Sequence, residues 1–117
     1  MKHLLLISVI AALSGCSTIK EYWPKPHDPV MFNQLVAVDI AIEKQNCEKP
    51  TWTDVHPIAE QLATYTEWRK DPQATNLRGL EKHVDRMSKG GSKTFCELGK
   101  KTAKQRIDAA KTAWEGR

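Results

Sequence analysis

The sequence lacks an apolar run long enough to cross a membrane. The run near its start, residues 4–13, is about ten residues long, whereas a membrane-spanning helix needs roughly twenty. It also lacks a nucleophile elbow, a phosphate-binding loop and an HExxH zinc motif. His27, His56 and His83 do not have the helical spacing of paired metal ligands. We therefore expect neither an enzyme nor a bound cofactor or metal ion.

Cysteine is scarce, with 3 in 117 residues, and the first of them closes a distinctive leader. Lys2 and His3 give a basic start, residues 4–13 are apolar, and residues 13–16 read Leu-Ser-Gly-Cys. This leader resembles the lipobox signal of bacterial lipoproteins. The resemblance implies cleavage before Cys16, a diacylglycerol on its thiol and acylation of the new amino terminus. The alternative is an ordinary secretory signal peptide that happens to contain a cysteine.

Lipidation would hold the mature chain firmly at a membrane, because each buried methylene of an acyl chain contributes about 0.8 kcal/mol. Serine rather than aspartate follows Cys16, which by analogy with known lipoproteins indicates the outer membrane. We therefore predict a cleaved signal peptide over residues 1–15 and a mature chain on the periplasmic face of the outer membrane. Residues 16–28 are the predicted lipidated N-terminus and tether, because a Pro-Lys-Pro motif at residues 24–26 cannot lie inside a helix.

Charge is unevenly distributed along the mature chain. Residues 16–77 carry 6 Lys/Arg against 9 Asp/Glu, while residues 78–117 carry 11 against 5. The basic half predicts contact with acidic lipid, polymer or protein in the envelope, not with nucleic acid. The alternative is a solvated helix face without a partner. The candidate surface is a lysine ridge on the last predicted helix, consisting of Lys100, Lys101, Lys104 and Lys111.

Hydrophobic spacing predicts a helical domain over residues 29–117. The first helix begins after Asp28, a capping residue followed by proline. The alternation of β-branched residues from Val36 to Ile42 leaves a strand as the alternative for this segment, although its length and cap favour a helix. Because it is apolar on nearly all sides, we expect this helix to lie centrally in the core. Its main stripe consists of Met31, Leu35, Val38 and Ile42.

Three more helices follow. The second is predicted to start at Thr53 or Asp54, with Pro57 in its first turn, and its stripe extends to Trp68. The remaining two have stripes at residues 77–87 and 96–114, separated by a glycine-rich break. Short connections between four helices predict an all-α, antiparallel up-and-down bundle. Four aromatic residues are predicted either to fill its core or to line a partner groove: Trp52, Tyr65, Trp68 and Trp114.

Two cysteines remain in the exported domain if Cys16 carries lipid. The periplasm is oxidising, so we expect Cys47 and Cys96 to form a disulfide that ties the first helix to the fourth. The alternatives are two free buried thiols or an intermolecular bond. A shared metal site is not expected, because no CxxC or close Cys/His spacing is present.

A wider resemblance rests on motifs spread through the mature chain. They are Trp23, Cys47-x-x-Pro50, Leu62 with Tyr65 and Trp68, Gly91-Ser92-Lys93-x-x-Cys96-Glu97, and a basic helix ending in Gly116-Arg117. Together they resemble small lipoproteins encoded by tailed bacteriophages and their hosts. The resemblance implies a lipidated, disulfide-bonded helical domain.

Within that group we expect an envelope protein that acts by protein–protein contact, as exclusion lipoproteins do when they block a receptor against a second phage. One alternative is an assembly chaperone resembling the helical pilotins of secretion systems. The other is a lysis protein resembling outer spanins. Outer spanins tend to be short and rich in proline, and the predicted compact core departs from that pattern.

Overall fold

A computed structural model describes residues 26–117, and within this range it contains four α-helices and no strand. The helices are α1 (Pro29–Glu43), α2 (Trp52–Trp68), α3 (Ala74–Ser88) and α4 (Lys93–Glu115). The all-α prediction is confirmed, and the strand alternative for the first segment is wrong. The predicted signal peptide and residues 16–25 of the tether lie outside the described residues.

A capping side chain begins α1, whereas α2 begins without one. At α1 the Asp28 carboxylate accepts hydrogen bonds from the amides of Val30 and Met31, at 3.0 and 3.2 Å, as its capping role predicts. α2 begins at Trp52, earlier than predicted, and no side chain caps it. Trp52 is only 2% exposed, so its burial in the core explains the early start. Pro57 consequently lies beyond the first turn, inside the helix.

The helices form an antiparallel bundle in which each packs against the next and α4 packs against α1. Asp28, before α1, bonds Tyr65 near the end of α2, so these two helices run in opposite directions. The start of α1, the α2–α3 turn and the end of α4 therefore meet at one end of the bundle, which we call the tether pole. The opposite end contains the α1–α2 and α3–α4 loops and is called the disulfide pole.

All four helices contribute one stripe to a single core. The α1 stripe is buried as predicted, with Val38 and Ile42 at most 1% exposed. However, Val36 and Ile40 are 42% and 45% exposed, so the expected central position of α1 is wrong. A four-helix bundle has no central helix, and α1 occupies a corner where α2 and α4 cover only part of its circumference.

The disulfide pole is closed by the predicted bond between Cys47 and Cys96, whose Cα atoms are 5.6 Å apart. Cys47 lies in the α1–α2 loop and Cys96 in the first turn of α4. In the neighbouring α3–α4 loop, Gly90 has a φ of 98°, a conformation that favours glycine. The prediction of an intrachain disulfide is confirmed.

The tether pole contains a buried ion pair that the sequence analysis missed. The Asp71 side chain is 1% exposed, and its carboxylate lies 2.5 Å from the guanidinium of Arg117. The same carboxylate accepts hydrogen bonds from the Trp114 indole at 3.0 Å and from the main-chain N–H of Gln73 at 2.9 Å. These contacts fasten the end of α4 to the α2–α3 turn.

Candidate functional site

The predicted lysine ridge lies along α4, but two of its members connect α4 to α1. The Lys104 ammonium lies 3.0 Å from carboxylate oxygens of both Asp39 and Glu43. Hydrogen bonds to Asp39 and then Glu43 raise its pKa above the usual range. Lys100 donates to the main-chain oxygens of Glu43 and Gln45, at 3.2 and 3.0 Å. These contacts give both lysines a structural role.

The other two lysines of the ridge lie closer to solvent. Lys111 is 3.7 Å from Glu115, one turn further along the same helix, and Lys101 is exposed. The positive charge of the ridge is therefore partly neutralised by its own neighbours. A role for the ridge as a partner or membrane surface stays a prediction, and Lys101 is the member best placed to carry it.

The four candidate aromatic residues do not share one groove. Trp52 and Trp114 are each 2% exposed and belong to the core. Tyr65 is partly buried, whereas Trp68 is 81% exposed. The expectation that Trp68 continues the buried stripe of α2 is wrong. It is the last residue of α2, at the edge of the bundle, and the packing does not cover it there.

A groove of about 420 Å³ nevertheless runs between α1 and α2. Tyr65 and Trp68 line its end near the tether pole, and Gln34 lines it from α1. The side-chain oxygen of Gln34 is buried and has no hydrogen-bond donor among residues 26–117. The remaining lining residues all belong to α2 and are Pro57, Glu60, Gln61 and Thr64.

The outward side of α1 is also apolar. Val36 and Ile40 are one helical turn apart and therefore neighbours on the helix surface. A second groove of about 250 Å³, between α1 and α4, is lined by residues that include Phe32, Val36 and Ile107. We call Val36, Ile40 and the two flanking grooves the α1 face. Sequence periodicity assigned both exposed residues to the core, so it gave no signal for this surface.

A charged network joins α2 to α3 away from the α1 face. The Arg78 guanidinium lies 2.6 Å from Glu67 and 3.0 Å from Glu81, and the His56 ring lies 2.9 Å from Glu81. The Glu81 side chain is only 14% exposed. His83 is also buried and bonds the main-chain oxygen of Gly99 at 2.9 Å. These contacts hold the helices together.

Glu81 should make stability depend on pH. Burial raises its pKa, but hydrogen bonds from His56 and Arg78 outweigh this effect and leave the pKa below the ordinary value of 4.5. Its contribution is therefore present above pH 4.5 and is lost as pH falls through the lower pKa of the folded state. Urea unfolding at pH values from 7 down to about 3 should show a smaller loss of stability in Glu81→Gln than in the parent chain.

Glu97→Gln, at an exposed position on α4, is the matched control and should follow the parent profile. Identical profiles for Glu81→Gln and the parent chain would contradict a stabilising role for the Glu81 carboxylate.

No protein-family model, curated protein or solved structure matches the chain. Within residues 26–117, none of the helices combines the length and apolar character needed to cross a bilayer. In the same range, no three His, Cys, Asp or Glu side chains are grouped so that they could hold a metal ion. The α1 face, with two adjacent exposed apolar side chains and two flanking grooves, is a candidate site within the described residues.

Proposed function

We propose that the chain is a lipid-anchored, non-enzymatic lipoprotein on the periplasmic side of the outer membrane, and that it acts by binding another envelope protein. The single observation that carries the binding role is the α1 face. Val36 and Ile40 stand one turn apart at 42% and 45% exposure, between two grooves. Large contiguous apolar patches mark interaction sites, and we infer that these two side chains and the grooves beside them form the centre of such a patch.

The chemistry of this face favours an apolar contact. Fully burying an aliphatic side chain contributes about 1.5–3 kcal/mol. Because Val36 and Ile40 are 42% and 45% exposed, covering each of them contributes a little under half of that amount. Asp39 and Glu43 on the same helix are paired with Lys104. A partner that covers the face therefore meets carboxylates that already have a counter-charge, which limits the cost of desolvating them.

The location rests on the leader. The Leu-Ser-Gly-Cys sequence at residues 13–16 supports lipidation of Cys16, and the serine at position 17 supports the outer membrane. The resemblance to phage-encoded lipoproteins supports an exclusion or receptor-blocking role for this lipoprotein.

A second candidate is a pilotin-like assembly chaperone, and the groove between α1 and α2 favours it. Its walls include the aromatic rings of Tyr65 and Trp68 and the unsatisfied oxygen of Gln34. Such a groove can accept an extended or helical segment of a partner. The lysis alternative has less support, because Lys100 and Lys104 are engaged in contacts with α1.

Photo-crosslinking from the α1 face tests the binding role. A photoreactive amino acid at position 40 of the chain, expressed in the producing bacterium, should give one defined adduct with an envelope protein. The same group at Gln105, an exposed position on α4, is the matched control and should give no such adduct. Equal adducts from both positions, or none from position 40, would contradict binding through α1.

A further inference from the structure

The turn between α2 and α3 presents an aromatic residue followed by two cations at the tether pole. Trp68 is 81% exposed, the largest exposure among the large hydrophobic side chains of residues 26–117. Arg69 caps the end of α2, and Lys70 follows with a positive φ of 51° and an exposed side chain. We call residues 68–70 the basal turn. Val30, 52% exposed in the first turn of α1, lies at the same pole.

The acidic groups around the basal turn are already compensated. Asp28 lies 3.3 Å from Arg69 and accepts a hydrogen bond from Tyr65. Asp71 is buried against Arg117. Glu67 is paired with Arg78 on α3. Lys70 forms no ion pair with any of residues 26–117, so within this range its ammonium adds an unpaired positive charge at this pole.

We propose that the basal turn rests on an anionic lipid surface, with the Trp68 ring at the level of the lipid head groups. This inference rests on the lipid anchor at Cys16 that is part of the proposed function. Tryptophan is favoured at membrane–water interfaces because its ring is apolar and its indole N–H is polar. Lys70 matches the negative charge of anionic head groups.

The position of the anchor selects this surface over others. Residue 26, the first that the structure describes, lies at the tether pole, and a proline-containing segment of about ten residues has a reach of roughly 31 Å at 3.1 Å per residue. The disulfide pole is further away by the length of a helix, which for the 23 residues of α4 is about 35 Å. The basal turn is thus the described surface nearest to the anchor. Lys100 and Lys101, in the half of α4 toward the disulfide pole, lie roughly 21–23 Å further along the helix.

This orientation has a consequence for the proposed function. With the tether pole on the membrane, the helix axes point away from the lipid surface. The α1 face is then roughly perpendicular to the membrane plane and remains accessible to a partner in the periplasm.

Fluorescence quenching from within the lipid tests the inference. In the chain from Cys16 onward, Cys47 and Cys96 are bonded to each other, so Cys16 can be coupled alone to a maleimide lipid. Vesicles of phosphatidylethanolamine and phosphatidylglycerol, both brominated in their acyl chains, then act as quenchers. Trp23→Phe removes the tether indole, while the buried Trp52 and Trp114 supply a shielded background.

In this Trp23→Phe background the lipid should quench the fluorescence, and adding Trp68→Phe should abolish most of the quenching. Quenching that does not depend on Trp68 would overturn the inference. It would also be overturned if a water-soluble quencher reached Trp68 freely, or if Trp68 were shielded from both quenchers by a second copy of the chain. Since coupling supplies the anchor chemically, failure here is distinct from failure of lipidation in the cell.

Matched lysine variants test whether the positive charge of Lys70 contributes to lipid binding. Without coupling, Lys70→Gln should lower partitioning onto the same vesicles about fivefold, the effect expected for one lysine near an anionic surface. Lys49→Gln removes the same charge from an exposed position in the α1–α2 loop, at the disulfide pole, and should leave partitioning unchanged. Equal effects of the two substitutions would contradict contact through the basal turn. Vesicles of phosphatidylcholine alone should abolish the difference between the two variants.

Discussion

Loss of the Cys47–Cys96 disulfide is expected to lower the free energy of unfolding by about 4 kcal/mol. The two cysteines are 49 residues apart in sequence, and the bond restricts the unfolded chain more strongly as the closed loop lengthens. For a domain of this size the melting temperature should fall by roughly 15–30 °C. Calorimetry of the parent chain and of Cys47→Ser with Cys96→Ser, both carrying Cys16→Ser, measures the effect.

The common Cys16→Ser background removes the third thiol and so prevents disulfide exchange. Reductant should lower the melting temperature of the parent chain and leave that of the double variant unchanged. Equal melting temperatures for the two chains without reductant would show that the bond contributes nothing to stability.

Arg117→Ala is expected to lower the free energy of unfolding by about 3 kcal/mol. The Arg117 and Asp71 side chains are 8% and 1% exposed, so the substitution leaves a buried carboxylate without its counter-charge. Two hydrogen bonds, from Trp114 and Gln73, remain, which limits the loss to the lower end of the range for broken buried pairs. Urea unfolding at neutral pH measures the change.

Arg86→Ala is the control for Arg117→Ala, because it removes an exposed arginine of α3 and should change stability by less than about 0.5 kcal/mol. Asp71→Asn added to Arg117→Ala should recover part of the loss, since it removes the unpaired charge. Equal effects of the two arginine substitutions would contradict the buried pair.

The helices and the disulfide could be predicted because they depend on local patterns and on composition. Asp28 caps α1 as its sequence context indicates, and the α1 stripe that includes Val38 and Ile42 is buried. The role of Asp71 could not be found in this way. Its sequence context shows only a residue before proline that ends a helix, whereas its partner Arg117 lies 46 residues away.

The candidate site was harder to predict because exposure depends on neighbours. The spacing of Val36 and Ile40 shows an apolar helix but not how many helices cover it. Lys104 shows the opposite error, because a side chain expected at the surface contacts another helix. Its sequence position indicates an outer ridge, yet Asp39 on α1 lies within 3.0 Å of its ammonium. Charge is visible in a sequence, but pairing between distant segments is not.

The resemblance to phage-encoded lipoproteins stays a prediction. Several residues that carry it have structural positions, since Leu62 is buried and Cys47 and Cys96 form the disulfide. Such residues support a shared fold more strongly than a shared role. Trp68 is different, because it is exposed, and its position leads to the inferred contact with lipid.

The claim on which the proposed location depends is lipidation of Cys16. Mass spectrometry of the chain extracted from the outer-membrane fraction of producing cells tests it most directly. The predicted result is a mature chain that begins at Cys16 and carries a diacylglycerol and an N-acyl group, while Cys16→Ala retains residues 1–15 and leaves that fraction. A parent chain with an unmodified Cys16, or a variant that fractionates like the parent, would contradict the lipid anchor.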